Sequence, residues 1–291
     1  MVRMVYTLNS SFDEIISDPS FAPFGRLIFP VHKEHLFGST LGDLQMTFYD
    51  NLICTDDTVK VVNYLKREAD SRAIFYDIYS EEEKALDPEK ADTGLFYFKG
   101  EAGKPFAVTC AGGGFQFVGA IHSSFPLSLE LANMGYNVFA LIYRADAEKA
   151  CQDLAKAIEF IFEHAQALQV ETEGYSVWGE SAGARMAAFI GSYGTEKYGA
   201  KACPRPAAVI MQYTGHSDFT ENDPPTYANA GSNDLWHLDR AMVEREKKMR
   251  AAGLISELTV YDGLPHGYAL GRGTAAEGWH KEAAAFWEAH R

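Results

Sequence analysis

Gly179-Glu180-Ser181-Ala182-Gly183 lies between a short apolar run, Tyr175-Ser176-Val177-Trp178, and a helix-forming run from Ala182 to Ile190. That context predicts a strand that turns sharply into a helix. Such a bend needs small residues on both sides. The two glycines remove the Cβ atoms that would collide there, and Ser181 is left with its hydroxyl presented above the sheet. The following helix aims its free N–H groups and the positive end of its dipole at the same spot. Five letters of this kind are weak alone, and a Gly-Ser loop without chemistry is the bland reading. The flanking strand and helix, and the partners downstream, give the motif its weight.

A serine hydroxyl is a poor nucleophile until a base takes its proton, and the base is a histidine oriented by a carboxylate. In a strand–elbow–helix setting the expected chain order is Ser, then Asp or Glu, then His. Thr226 to Ala230 is strand-like and is followed by Gly231-Ser232-Asn233-Asp234. An aspartate just past a strand end is where the acid belongs. Glu257 to Tyr261 reads as another strand, followed by Asp262-Gly263-Leu264-Pro265-His266-Gly267. Pro265 sets that loop and Gly267 frees it, so an imidazole can swing over the sheet edge. Ser181 is assigned as nucleophile, His266 as general base and then acid, and Asp234 as the orienting carboxylate. Asp239 falls inside a helix starting near Leu238, and Asp262 sits on the wrong side of a tight turn. His280 and His290 belong to a terminal helix and read as solvated, whereas His216 and His237 could line a pocket.

The third requirement is a set of backbone N–H groups facing the oxyanion that develops on the substrate carbonyl. Phe106 to Cys110 reads as a buried strand, and Ala111-Gly112-Gly113-Gly114-Phe115 follows it. Consecutive glycines let a backbone approach a ligand and turn its N–H groups inward. A phosphate cradle fails on detail: no Gly-Lys-Ser/Thr follows, and there is no Gly-x-Gly-x-x-Gly spacing. The donors are assigned as the N–H groups of Gly113, Gly114 and Ala182. Phe115 and Phe117, beside this loop, are candidate pocket walls for an acyl group.

These residues together resemble the α/β-hydrolase family, and within it the small esterase and lipase branch that carries a His-Gly-Gly-Gly loop. Here Ala111 stands in the histidine position, which leaves the glycine donors in place but removes a side chain that braces the loop in relatives. The resemblance covers roughly residues 92 to 291. It implies an α/β-hydrolase fold, with a mostly parallel central sheet covered by helices on both faces, plus an N-terminal extension over residues 1–91. It also implies a serine carboxylesterase working through an acyl-enzyme on short-chain, acetyl-like esters, acetylated sugars among them. The scheme needs no metal and no organic cofactor. A serine peptidase or amidase of the same fold, and a catalytically silent binding module, are the alternatives.

The 291 residues suffice for one large α/β domain with extra segments, and an apolar content of 47% is ordinary for a folded protein. A net charge of −14 argues against nucleic acid and anionic membrane surfaces as partners. A small-molecule ester is the expected partner, and a homo-oligomer stays open. Cys54, Cys110, Cys151 and Cys203 are scattered, without a Cys-x-x-Cys pair, and read as buried free thiols. No basic start with an apolar core opens the sequence, and a cytoplasmic location is expected.

From about Asp92 onward strands and helices alternate. Thr93–Phe98, Phe106–Cys110, Asn137–Tyr143, Ala207–Tyr213 and the strands named above are separated by helices. One helix is carried by the spacing of Cys151, Leu154, Ala155, Ile158, Ile161, Phe162, Ala165 and Leu168. Residues 1–91 hold a helix-like stretch from Thr58 to Arg67, a β-prone run at Ile74-Phe75-Tyr76, and an acidic stretch, Ser80 to Lys90, expected to be a solvated loop. This extension is read as edge strands and packing helices, a lid, or a dimer surface. The irregular loop from Gly215 to Pro225 places His216 and Asp218 as candidate substrate contacts.

Overall fold

Strands, most of them rich in Phe, Val, Ile and Ala and buried along most of their length except at the sheet's two edges, build one eight-stranded sheet. They are β1 (Phe75–Tyr76), β2 (Gly94–Phe98), β3 (Pro105–Cys110), β4 (Asn137–Ile142), β5 (Glu171–Glu180), β6 (Ala208–Gln212), β7 (Thr226–Gly231) and β8 (Ser256–Tyr261). The computed structural model describes residues 5–46 and 52–291, so the first four residues of the sequence lie outside it. The strand order is β1-β2-β4-β3-β5-β6-β7-β8. β1 and β2 run antiparallel at one edge, and every pairing from β4 to β8 is parallel. Strands β2, β3, β4, β6 and β7 are buried at every position, as expected for a sheet with both faces covered.

The helices are α1 (Phe12–Ile16), α2 (Thr55–Ala69), α3 (Glu81–Leu86), α4 (Ser124–Asn133), α5 (Ala147–Leu168), α6 (Ala182–Tyr193), α7 (Leu238–Ala251) and α8 (Trp279–His290). From β3 the chain crosses to β4 on one side and then returns past β3 to β5 on the other. Right-handed crossovers in opposite directions place α4 and α5 on opposite faces. The strand order therefore reverses between β3 and β5, which leaves a crevice outside their carboxyl ends. The glycine loop leaves β3 at Cys110, and Ser181 leaves β5 at Glu180, with Cys110 in register with Gly179. Two distant sequence motifs thus meet at one crevice.

Asp146 starts α5 by accepting hydrogen bonds from the N–H groups of Glu148 and Lys149, both 2.9 Å. The helix buries Cys151, Leu154, Ala155, Ile158 and Ile161 and ends at Gln169 in the left-handed conformation. Ser80 to Lys90 is not a loop. Ser80 and Glu83 form a reciprocal capping box that starts α3, and three glutamates in its first turn complement the helix dipole. Before it, α2 turns Val59, Val61, Val62 and Leu65 inward, and β1 extends the sheet. Tyr6, Phe12, Ile15, Phe21 and Leu41 join the same apolar core as the sheet. All four cysteines are free; Cys110 and Cys151 are buried, but Cys54 and Cys203 are only half-buried. Among the described residues no helix is long and apolar enough to cross a membrane.

Candidate active site

Ser181 has φ 53° and ψ −112°, a conformation that L-residues rarely adopt and that costs on the order of 1–3 kcal/mol. Its surroundings enforce it. The Ser181 N–H donates to the Gln212 carbonyl at 3.0 Å. A Cβ on Gly179 would lie 2.2 Å from the Gly183 carbonyl oxygen, and one on Gly183 would lie 2.1 Å from that of Cys110. Both glycines of the motif are therefore required by close backbone approach, and the first turn of α6 sits directly beneath Ser181.

The loops after β7 and β8 bring the other two groups to the serine. His266 Nε2 lies 3.0 Å from Ser181 Oγ, and its Nδ1 lies 2.7 Å from Asp234 Oδ2. Asp234 and His266 are 1% and 3% exposed, so the contact between them is shielded from water. Asp234 Oδ1 accepts the Trp236 N–H at 2.9 Å, which fixes the carboxylate from its other side. The two loops are tied to each other. Asn233 N–H donates to the Leu264 carbonyl at 3.0 Å, and a side chain on Gly231 would collide with that same carbonyl. The rings of Tyr213 and Trp236 flank the imidazole, each 4.8 Å away centroid to centroid. Asp262 instead accepts a hydrogen bond from Ser232, and Asp239 lies in the first turn of α7. His237 is exposed, and His290 bonds back to the Phe286 carbonyl. His280 is not solvated, as its place on a terminal helix suggested: it is buried, because α8 turns that face inward beside Trp279.

The glycine loop faces the same point. Gly113 and Gly114 have φ values of 140° and 62°, and a Cβ on Gly113 would meet the Phe117 carbonyl oxygen at 2.0 Å. The Gly112 carbonyl accepts from Gly119 N–H at 3.0 Å, and the Gly113 carbonyl from Gln116 N–H at 3.0 Å. Among the described residues the N–H groups of Gly113 and Gly114 have no hydrogen-bond partner. Ala182 is the first residue of α6, where an N–H has no partner within the helix.

A cleft of about 820 Å³ opens above these groups, lined by Gly113, Gly114, Ser181 and His266 and walled by Phe117, Trp236 and Leu238. His35, Phe37, Gln45 and Met46 from the N-terminal segment close its far side. Phe37 and Gln45 exchange both backbone hydrogen bonds, and His35 stacks on Phe117 at 4.8 Å. Two expected wall residues are displaced. Phe115, at φ 59°, packs against the core rather than lining the cleft. His216 is buried against Phe189, and burial, with Arg245 and Arg185 nearby, pushes its imidazole down to about 4. It stays neutral and does not line the cleft.

Sequence reading left a lid from residues 1–91 as one of several readings and named none of the residues of the cleft's N-terminal wall, which carries no motif or periodicity. It also missed Glu180, whose carboxylate accepts the Tyr213 hydroxyl at 2.6 Å and is pushed up to about 7 by burial. The Asp-x-Trp spacing of Asp234 and Trp236 was a usable signal, since an aspartate commonly accepts the N–H two residues on. The assembled groups can move a proton from the Ser181 hydroxyl to an imidazole held by a carboxylate, beside two unpaired N–H groups.

The model of the BD-FAE family matches residues 96–257, more than half of the chain. Solved structures share the fold. An acetyl ester-xyloside bifunctional hydrolase from Caldicellulosiruptor lactoaceticus is 19% identical at a TM-score of 0.65, over 75% of this chain and 96% of that one. A thermophilic esterase from Thermogutta terrifontis is 19% identical at 0.61, over 72% and 89%. A sugar hydrolase from Lactococcus lactis is 20% identical at 0.59, over 68% and 94%. No curated protein matches by sequence. These likenesses make the fold an α/β-hydrolase fold.

Proposed function

The chain belongs to the BD-FAE family, and from that premise and the site geometry we propose that it is a serine carboxylesterase of short-chain esters, acetylated sugars among them. The observation that carries the reading is the hydrogen-bonded chain Asp234–His266–Ser181, with links of 2.7 and 3.0 Å and its first two members buried. Ser181 attacks the ester carbonyl while His266 takes its proton. The oxyanion accepts hydrogen bonds from Gly113, Gly114 and Ala182, each such donor being worth on the order of 3 kcal/mol. The alcohol leaves with the proton from His266. Water, activated by the same imidazole, then releases the acid. The name of one structural neighbour, an acetyl ester-xyloside bifunctional hydrolase, agrees with a small acyl group. So does the cleft, where the segment bearing His35, Phe37 and Met46 acts as a partial lid over a small-molecule ester.

A fluorophosphonate probe tests this reading. Wild type should label at Ser181, and Ser181→Ala should neither label nor hydrolyse p-nitrophenyl acetate. Labelling that survives Ser181→Ala would overturn the assignment. A panel of p-nitrophenyl esters of rising chain length, run beside acetylated sugars, then defines the acyl and alcohol halves, with rates expected to fall as the acyl chain grows.

A further inference from the structure

We infer that Tyr143 is a positioning residue for the glycine loop, holding the carbonyl of Ala111 so that the N–H groups of Gly113 and Gly114 stay aimed at the reacting oxygen. The inference rests on the esterase reading and adds a residue to it. Tyr143 follows the last residue of β4, the parallel neighbour of β3. Leu141 is in register with Cys110, so the chain two residues on lies beside the start of the loop. The phenol is buried and donates to the Ala111 carbonyl at 2.7 Å. Burial holds its pKa far above any working pH, so it remains a donor throughout.

The same carbonyl is confined from below. A Cβ on Gly183 would lie 2.6 Å from it, so it sits between the phenol and the first turn of α6. The next two carbonyls of the loop are tied by backbone amides, Gly112 to Gly119 and Gly113 to Gln116 and Phe117. Three successive carbonyls are thus turned away from the cleft, while Gly113 and Gly114 line it with unpaired N–H groups. Of the three ties only the first is made by a side chain, and Ala111 has no polar group of its own to replace it. Donors aimed at charge that exists only in the transition state affect turnover and leave substrate binding alone.

Tyr143→Phe removes the donor and keeps the ring. Tyr175→Phe is the control: its buried phenol likewise donates to a carbonyl, that of Pro204 at 2.8 Å, away from the cleft. Both variants should lower Tm comparably. Only Tyr143→Phe should reduce kcat for p-nitrophenyl acetate, by about tenfold with KM within twofold, and weaken a trifluoromethyl ketone inhibitor by the same factor. Placing 4-aminophenylalanine at 143 keeps a weaker donor and covers the case in which the phenylalanine variant does not fold. It should lower kcat by roughly two- to fivefold at constant KM. Wild-type kcat and ketone affinity in folded Tyr143→Phe, or in the 4-aminophenylalanine variant where Tyr143→Phe does not fold, beside an inactive Ser181→Ala, would overturn the bracing role and leave the esterase reading standing. An active Ser181→Ala would instead remove the esterase reading itself.

Discussion

Gly183→Ala separates conformational strain from contact. Gly183 lies inside α6 with an ordinary helical backbone. On propensity alone alanine there should stabilise the helix by roughly 1 kcal/mol. The structure reverses that sign. The new Cβ would sit 2.1 Å from the Cys110 carbonyl oxygen and 2.6 Å from that of Ala111, where ordinary contact begins at 3.4 Å. Backbone must yield by about 1 Å, and the backbone in question is the end of β3 and the start of the glycine loop. Overpacking of this kind costs roughly 1–3 kcal/mol of stability. Misplacing a reacting constellation by about 1 Å costs on the order of 100-fold in rate. The expected outcome is a folded protein with kcat on p-nitrophenyl acetate down about 100-fold and KM changed much less. Stopped-flow or plate kinetics, with Tm measured in parallel, gives both numbers. A variant that keeps kcat within threefold and gains stability would refute the argument, because the glycine would then serve the helix and not the loop.

Asp234→Asn should leave the fold intact and cut kcat by about 10³–10⁴-fold, since the amide favours the wrong imidazole tautomer; a loss under tenfold would contradict the role. Glu180 yields a pH prediction. Its folded carboxyl is raised from the usual 4.5 to about 7, so the folded state binds this proton more tightly than the unfolded one. That contribution is complete below pH 4.5 and is lost as pH rises through 7, on the order of 3 kcal/mol in all. Denaturant unfolding at pH 5 and pH 8 should show this fall in wild type and a flatter response in Glu180→Gln; equal slopes would rule out Glu180 as its source. Arg144 is 5% exposed and bonds to Asp153 at 2.7 Å. Arg144→Met leaves a buried carboxylate uncompensated and should cost about 3–5 kcal/mol in the same assay, most of it recovered by adding Asp153→Leu.

The strands and helices from residue 94 onward were legible because each is written in local chemistry. Apolar runs, glycine turns and the 3.6-residue spacing of Leu154, Ile158 and Ile161 need no partner to be read. Ser80 to Lys90 was misread because acidic composition was weighed above the Ser-x-x-Glu cap that starts α3. Phe115 was misread because adjacency in sequence was taken for direction in space; at φ 59° its side chain leaves the cleft while Phe117, two residues on, enters it.

The sequence by itself determined the elbow, the glycine loop, and the order serine, aspartate, histidine, because a bend, a donor-rich turn and a strand end each leave a local residue signature. Only the tertiary structure decided which groups surround them. The His35–Met46 wall, the Glu180–Tyr213 pair and the Tyr143–Ala111 bond join residues far apart in the chain. Such contacts depend on strand order and register, which no short window of residues encodes.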